Sequence, residues 1–328
     1  MDYRTLGRTG VMVSPICLGT MNFPYRTPEA EAVEIIDRAM DAGINFIDTA
    51  DFYGQPLNSG TGQGTTEKLL GKALKGKRQQ VILATKFFAP VDRTDPNARG
   101  GSRRHVIRAC EDSLRRLNTD YIDLYQMHRP DPEVPIDETL RALEDLIRAG
   151  KVRYIGTSSF AGWQLVEALW TSDRLRLNRF VTEQPRYSLL DRRIEAEVVP
   201  AALKYQIGIL PYSPLGGGIL TGIYKPETEP PGDSRVKDEI WGEWAAGFLS
   251  DRVYRLTEEL STLADQKGCT PSQIALAWVL AQPGVVSPII GPRTIAHLED
   301  NLGALDLSLT LEEIGRLEKH TLPGKALF

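Results

Sequence analysis

Short apolar runs alternate with longer stretches in which apolar residues recur every three or four positions, and the alternation persists along most of the 328 residues. Runs of this kind without turn formers predict strands, and the longer spacing predicts helices. Tyr3–Thr5 and Val11–Val13 flank the turn Gly7-Arg8-Thr9-Gly10 and predict a small hairpin. Strand-like runs then fall at Ile16–Leu18, Asn45–Asp48, Val81–Ala84, Tyr121–Met127, Val152–Gly156, Phe180–Thr182, Ile207–Tyr212 and Val285–Ile290. Helical spacing covers Pro28–Ala42, Thr66–Lys75, Ser102–Leu117, Glu138–Ala149, Trp163–Leu169 and Arg193–Tyr205. A long loop from Leu215 to about Lys237 precedes a largely helical stretch to Lys267 and an apolar helix to Leu280, capped by Thr270 with Pro271 in its first turn. Ile295–Leu302 and Leu311–His320 predict two closing helices.

Strands that are apolar on both faces and joined by crossover helices form parallel sheets. Eight such units predict an α/β fold of the (β/α)8 TIM-barrel type, with an N-terminal β-hairpin and extra C-terminal helices. No linker, charge block or low-complexity run divides the chain, so residues 1–328 are expected to form a single barrel domain. An open doubly wound sheet fits less well, because eight βα units without a break in composition do not suggest two domains, and no Gly-x-Gly-x-x-Gly follows the first strand to mark a Rossmann dinucleotide site.

Composition narrows the function classes. A net charge of −4 supplies no basic field for nucleic acid or an anionic membrane. No apolar run is long enough to span a bilayer, and Met1-Asp2-Tyr3-Arg4 lacks a leader core. The three cysteines, Cys17, Cys110 and Cys269, are far apart in apolar contexts, as buried thiols of a reducing, cytoplasmic protein would be. Four histidines without paired spacing, and no His-x-His, predict no metal site. Gly71–Lys77 nearly spells a phosphate loop, but Arg78 stands where Ser or Thr is needed and the run ends a helix, so it reads as a surface turn.

In a barrel the carboxyl ends of the strands share one rim, where the chemistry sits. Here that rim carries Asp48, Lys86, His128, Ser158, Gln184, Tyr212 and Ser213, with Tyr53 just beyond the second strand. Asp48 as a cap, Lys86 as a solvated strand end, His128 as a loop histidine and Tyr53 as a packed aromatic are the ordinary alternatives. A carboxylate, an ammonium, an imidazole and a phenol on successive strands together outweigh them. A phenol has a pKa of about 10, and a neighbouring ammonium favours its ionised form. Lys86, held by Asp48, predicts a more acidic Tyr53. His128 then orients a carbonyl oxygen, and the group suits carbonyl reduction with hydride from a cofactor. Ser158, Ser159 and Gln184 suit a carboxamide, and Tyr212 offers a face for ring stacking. Gly216-Gly217-Gly218 allows close backbone approach, and Gly291-Pro292-Arg293-Thr294 before a helix suits phosphate. Gly19, Thr20 and Met21, after the first strand, join the cofactor set. A Schiff-base lyase using Lys86 is the competing chemistry, and it requires a depressed amine pKa.

Phe46-Ile47-Asp48-Thr49-Ala50 with Tyr53-Gly54, Ala84-Thr85-Lys86, Asp123–His128, Gly156–Ser159, Tyr212-Ser213-Pro214-Leu215 and Leu298–Leu305 make the chain resemble the aldo-keto reductase family over nearly its whole length. The likeness is greatest to the branch of bacterial reductases and potassium-channel β subunits. It implies a catalytic tetrad of Asp48, Tyr53, Lys86 and His128, with Tyr53 as proton donor. It implies nicotinamide contacts from Ser158, Gln184 and Tyr212, and contacts nearer the phosphates from Ser213, Leu215 and Gly217. Arg235 matches a cofactor-clamping arginine, and Arg293, Asp300 and Asn301 match positions near the adenosine. Ile223 stands where relatives carry a phosphate-binding lysine, and His297 where Gln or Arg is usual. The implied cofactor is NADP(H), with NAD(H) as the alternative. The expected partner is a small carbonyl substrate, not nucleic acid or membrane, on a monomer or homo-oligomer. A regulatory, cofactor-binding subunit is the other role the branch implies. Met21, Phe23, Tyr25, Phe87, Phe88 and Arg129 are candidate pocket walls.

Overall fold

The computed structural model describes residues 1–54, 64–92, 94–232, 234–238 and 242–327. Residue 233 of the predicted long loop and residues 239–241 of the stretch after it lie outside the described residues. Strands β1 (Arg4–Thr5) and β2 (Met12–Val13) pair antiparallel as the predicted hairpin. The barrel strands follow: β3 (Cys17–Gly19), β4 (Phe46–Asp48), β5 (Ile82–Phe87), β6 (Ile122–Met127), β7 (Val152–Ser158), β8 (Thr182–Gln184), β9 (Gly208–Ile209) and β10 (Ile289–Ile290). They form one eight-stranded parallel sheet in chain order, with β10 returning to lie beside β3. The remaining gap is closed by a parallel bridge between Ile209 and Val285. There Ile209 N donates to Gly284 O and Val286 N donates to Ile209 O, both at 2.9 Å. The fold is the expected (β/α)8 barrel.

Around it run α1 (Glu29–Asp41), α2 (Thr65–Ala73), α3 (Arg103–Leu117), α4 (Ile136–Arg148), α5 (Gly162–Leu175), α6 (Val198–Tyr205), α7 (Gly242–Ala246), α8 (Asp251–Lys267), α9 (Pro271–Leu280), α10 (Ile295–Leu302) and α11 (Leu311–Glu318). Local chemistry sets their starts. Ser102 accepts from His105 N to open α3, and Thr270 with Gln273 forms a reciprocal cap on α9. The expected helix Arg193–Tyr205 is instead a 3-10 turn over Arg193–Glu195 followed by α6. Pro200 has no N–H to offer Ala196 and is tolerated only in a first turn, so the α-helix begins at Val198 rather than at Arg193. The seventh and eighth strands are shorter than their apolar runs because Pro211 and Pro288 interrupt them. The loop after β9 also has local order, with 3-10 turns at Gly216–Thr221 and Arg235–Lys237.

Two cores result from the alternation of side chains along each strand. Phe46, Ala84, Leu124, Leu210 and Val286 fill the barrel interior together with Leu6 of the hairpin. Ile47, Leu83, Tyr125 and Ile155 face outward into a second core with the helices. The same parity turns Asp48, Lys86, Gln126 and Gln184 inward, one step above the apolar filling. Below, Arg4 Nη1 donates to Leu280 O (3.2 Å) and Val285 O (3.0 Å), and Ser287 Oγ donates to Ser14 O (2.8 Å). No helix among the described residues is long and apolar enough to cross a membrane.

His105, in the first turn of α3, is buried, and its Nε2 has no hydrogen-bond partner among the described residues. Burial, then Arg108, lowers its pKa to about 4. The unfolded value is about 6.5, so protonation favours the unfolded chain. Stability is therefore expected to fall by on the order of 2 kcal/mol as the pH drops from about 6.5 to about 4. Urea melts across this range should show a shallower slope in His105→Gln. An unchanged slope would assign the acid sensitivity elsewhere.

Candidate active site

Strands β4, β5, β6 and β8 bring four polar side chains into contact at the carboxyl end of the barrel. Lys86 is fully buried, and its Nζ donates to Asp48 Oδ1 (2.5 Å), Thr49 O (2.9 Å) and Tyr53 OH (3.2 Å). Asp48 Oδ2 accepts from Gln126 Nε2 (3.0 Å) and Gln184 Nε2 (2.9 Å). Tyr53 and His128, both partly exposed, lie edge to face with ring centroids 6.1 Å apart. Phe52 packs on both rings, at 5.1 Å from Tyr53 and 5.2 Å from His128. The four residues expected to form the tetrad are thus brought together.

Electrostatics departs from the simple expectation for the phenol. Burial is the largest influence on Tyr53 and raises its pKa above the ordinary value, although Lys86 pulls it down. The expected acidification is therefore outweighed by desolvation. Burial also opposes the Lys86 ammonium, but Asp48 and Tyr53 together hold its pKa above the usual amine range. A raised amine pKa is the opposite of what a Schiff-base lysine needs. Burial, then the charges of Lys86 and Arg129, drives His128 well below its ordinary value. It is a neutral imidazole at physiological pH, able to donate one N–H.

The expected cofactor residues surround this centre. Thr20 donates from its N–H and its hydroxyl to Asp48 O (3.0 and 2.9 Å), while Met21 is exposed. Ser158 Oγ donates to Gln184 O (2.8 Å), and Ser159, with a φ of 61°, donates its N–H to the same oxygen (3.1 Å). Tyr212 and Leu215 are half-buried on the same rim, and Ser213 has a positive φ of 53°. Gly217 and Gly218 hold φ values of 71° and 97°, which side chains disfavour. Further out, Gly291 O accepts from Asn22 Nδ2 (2.9 Å) and Arg293 O from Thr27 Oγ1 (3.1 Å). Arg235 is lowered to about 10 by burial and then by Arg26, with Arg293 acting in the same sense. That crowding of guanidinium charge fits a group carrying phosphates. Thr294 caps α10 by accepting from His297 N (3.2 Å). Asn301 is buried, and Asp300 is occupied by Thr270 Oγ1 (2.7 Å) and Gln273 Nε2 (3.2 Å), which ties α10 to α9.

Two candidate wall residues lie elsewhere. Phe23 and Phe87 are fully buried, Phe87 against Tyr125 at 4.8 Å, because their strand and turn positions face the helices. Three participants were not expected. Gln126 is signalled by an amide inside an otherwise apolar strand. Arg26 and Asp238 form a 3.3 Å ion pair between the β3–α1 loop and the loop before α7, a long-range meeting with no local pattern. Among the described residues no cluster of His, Cys, Asp and Glu suits a metal ion.

The sequence profile of the aldo/keto reductase family matches residues 15–321. The chain is 44% identical to an uncharacterized oxidoreductase, YrpG, of Bacillus subtilis, over 99% of this chain and 97% of that protein. It is 35% identical to a probable voltage-gated potassium channel subunit beta of Arabidopsis thaliana, over 94% and 92% of the two chains. A putative aryl-alcohol dehydrogenase, AAD16, of Saccharomyces cerevisiae is 32% identical, over 98% and 97%.

Proposed function

Since the chain belongs to the aldo/keto reductase family, we propose that it is an NADPH-dependent oxidoreductase that reduces an aldehyde or ketone to an alcohol, with Tyr53 as proton donor. The observation that carries this reading is the Tyr53 hydroxyl 3.2 Å from a buried Lys86 ammonium, itself 2.5 Å from Asp48. NADPH, when bound, would supply the hydride for reduction of the carbonyl carbon. Ser158, Gln184 and Tyr212 would hold its nicotinamide, and Arg235 and Arg293 its phosphates. Neutral His128 orients the carbonyl oxygen by donating an N–H. Tyr53 transfers its proton to that oxygen as negative charge develops there. An alkoxide is about as basic as hydroxide, so even a phenol raised above its usual value remains the stronger acid. Lys86 stabilises the phenolate left behind, and Asp48 with Gln126 and Gln184 fixes Lys86.

The relation to a named aryl-alcohol dehydrogenase makes aromatic aldehydes the first substrates to test. A panel of aldehydes and ketones is expected to drive NADPH consumption. NADPH is expected to bind more tightly than NADH, because Arg26, Arg235 and Arg293 gather cationic charge. A tenfold lower Kd for NADH would overturn the cofactor assignment. The identity to a channel beta subunit favours a second reading, a cofactor-binding regulatory subunit. Cofactor binding without turnover of any carbonyl in the panel would select it.

A further inference from the structure

A second buried charge cluster lies beside the catalytic loop, and the chemistry above does not use it. Asp51 is fully buried between Asp48 and Tyr53 in the chain. Its backbone N–H donates to Lys86 O (3.1 Å), which fastens it to β5 at the catalytic lysine. Neither carboxyl oxygen has a hydrogen-bond partner among the described residues, and the Phe52 amide lies near without reaching hydrogen-bond geometry. The charge that acts on Asp51 most strongly is that of Glu67 on α2, which is also fully buried. Glu67 accepts from Thr85 Oγ1 (2.6 Å) and from Arg116 Nε on α3 (2.6 Å). Lys86 on β5 is the next cation, but it is held by Asp48. Tyr125 on β6 is a further titratable group that feels Asp51.

Two buried carboxyl groups thus share the field of one guanidinium, which is bonded to Glu67 alone of the two. Like charges in a site of low polarity do not both persist, so one carboxyl keeps a proton. Among the described residues Glu67 receives two donors and Asp51 none. An ionised carboxylate without donors is far costlier to bury than a neutral acid.

We propose that Asp51 is a positioning residue that works as the neutral acid, packing the 48–54 loop onto the Glu67–Arg116 pair and thereby holding Tyr53 against Lys86. The connection is short. Thr66, which precedes Glu67, donates its N–H to Tyr53 O (3.3 Å). Gly54 follows with a φ of 108°, and a Cβ there would lie 2.7 Å from the same Thr66 nitrogen. One turn of α2 therefore carries both the carboxyl that governs Asp51 and the amide that anchors Tyr53. Ionisation of Asp51 would add a second negative charge beside Glu67 and drive this loop from α2.

Burial first, and Glu67 second, push the Asp51 carboxyl well above its usual range. Its folded pKa therefore exceeds the unfolded value of about 3.9. The sign follows by linkage: relative stability is greatest at low pH and is lost as the pH rises through the folded value. Asp51→Asn keeps the shape and stays neutral at every pH. The activity part of the test rests on the proposed reductase function, whereas the stability and spectroscopic parts do not.

The experiment compares the full-length chain with Asp51→Ala and Asp51→Asn by urea melts and kcat against pH, from pH 5 to pH 9. Asp51→Asn is expected to melt at higher urea than the parent at pH 8, with the gap narrowing towards pH 5. Asp51→Ala is expected to lose about tenfold in kcat through misplacement of Tyr53, and Asp51→Asn to recover most of it. With carboxyl-carbon-13 aspartate in the unmodified protein, one aspartate NMR resonance is expected to stay in the protonated position at pH 7. That measurement stands even if neither variant folds. Aspartates all ionised at pH 7, or a stability gap that does not change with pH, would overturn the proposal.

Discussion

Tyr53→Phe is expected to lower kcat for carbonyl reduction by about 10²–10⁴-fold, the range of a positioned general acid. The ring remains, so its packing on Phe52 and His128 is kept, and NADPH should bind with a Kd within about twofold of the parent. The loss should fall on kcat rather than on KM, because the proton moves only as the oxygen becomes negative. NADPH consumption at saturating aldehyde, together with cofactor titration by fluorescence, separates the two quantities. Retention of more than a tenth of kcat would transfer the donor role to another group.

Lys86→Met is expected to remove activity and also to destabilise the fold by about 3–5 kcal/mol. The cause is Asp48, left buried without its cation, while Thr49 O loses its donor. Gln126 and Gln184 still donate to Asp48, which places the effect towards the lower end of that range. The double change Lys86→Met with Asp48→Asn should regain most of the stability, since no charge is then stranded, yet remain inactive. Urea melts and turnover on all three variants test both halves. A single variant as stable as the parent would show that the pair is not coupled, and activity in the double variant would remove Lys86 from the chemistry.

The barrel was legible because period and parity carry it. Alternation of βα units predicts the architecture, and Phe46 inside implies Asp48 inside, as Ala84 does for Lys86. Prolines marked the errors. Pro200 delays the start of a predicted helix, and Pro211 and Pro288 shorten predicted strands, all by removing a donor that periodicity does not register. Distances across the chain were less legible. Gln126 could be noticed as an amide in an apolar strand, but its partner Asp48 lies 78 residues away. The pairing of Arg26 with Asp238 depends on two loops meeting. The Tyr53 phenol shows the same limit in energy: its charged neighbours are readable from sequence, but the burial that outweighs them is a property of the folded whole.

The closure between β9 and Val285 bears on how the molecule is made. The seventh and eighth staves meet there, the eighth pairs with the first through β10 and β3, and Arg4 donates to Leu280 O and Val285 O beneath them. A nascent polypeptide on the ribosome holds seven staves and the bottom hairpin before their final neighbour has been synthesised. Until then Cys17–Gly19 presents an open sheet edge, the kind of surface that seeks foreign strands. That edge is covered only when the last stave, Ile289–Ile290, takes its place beside it.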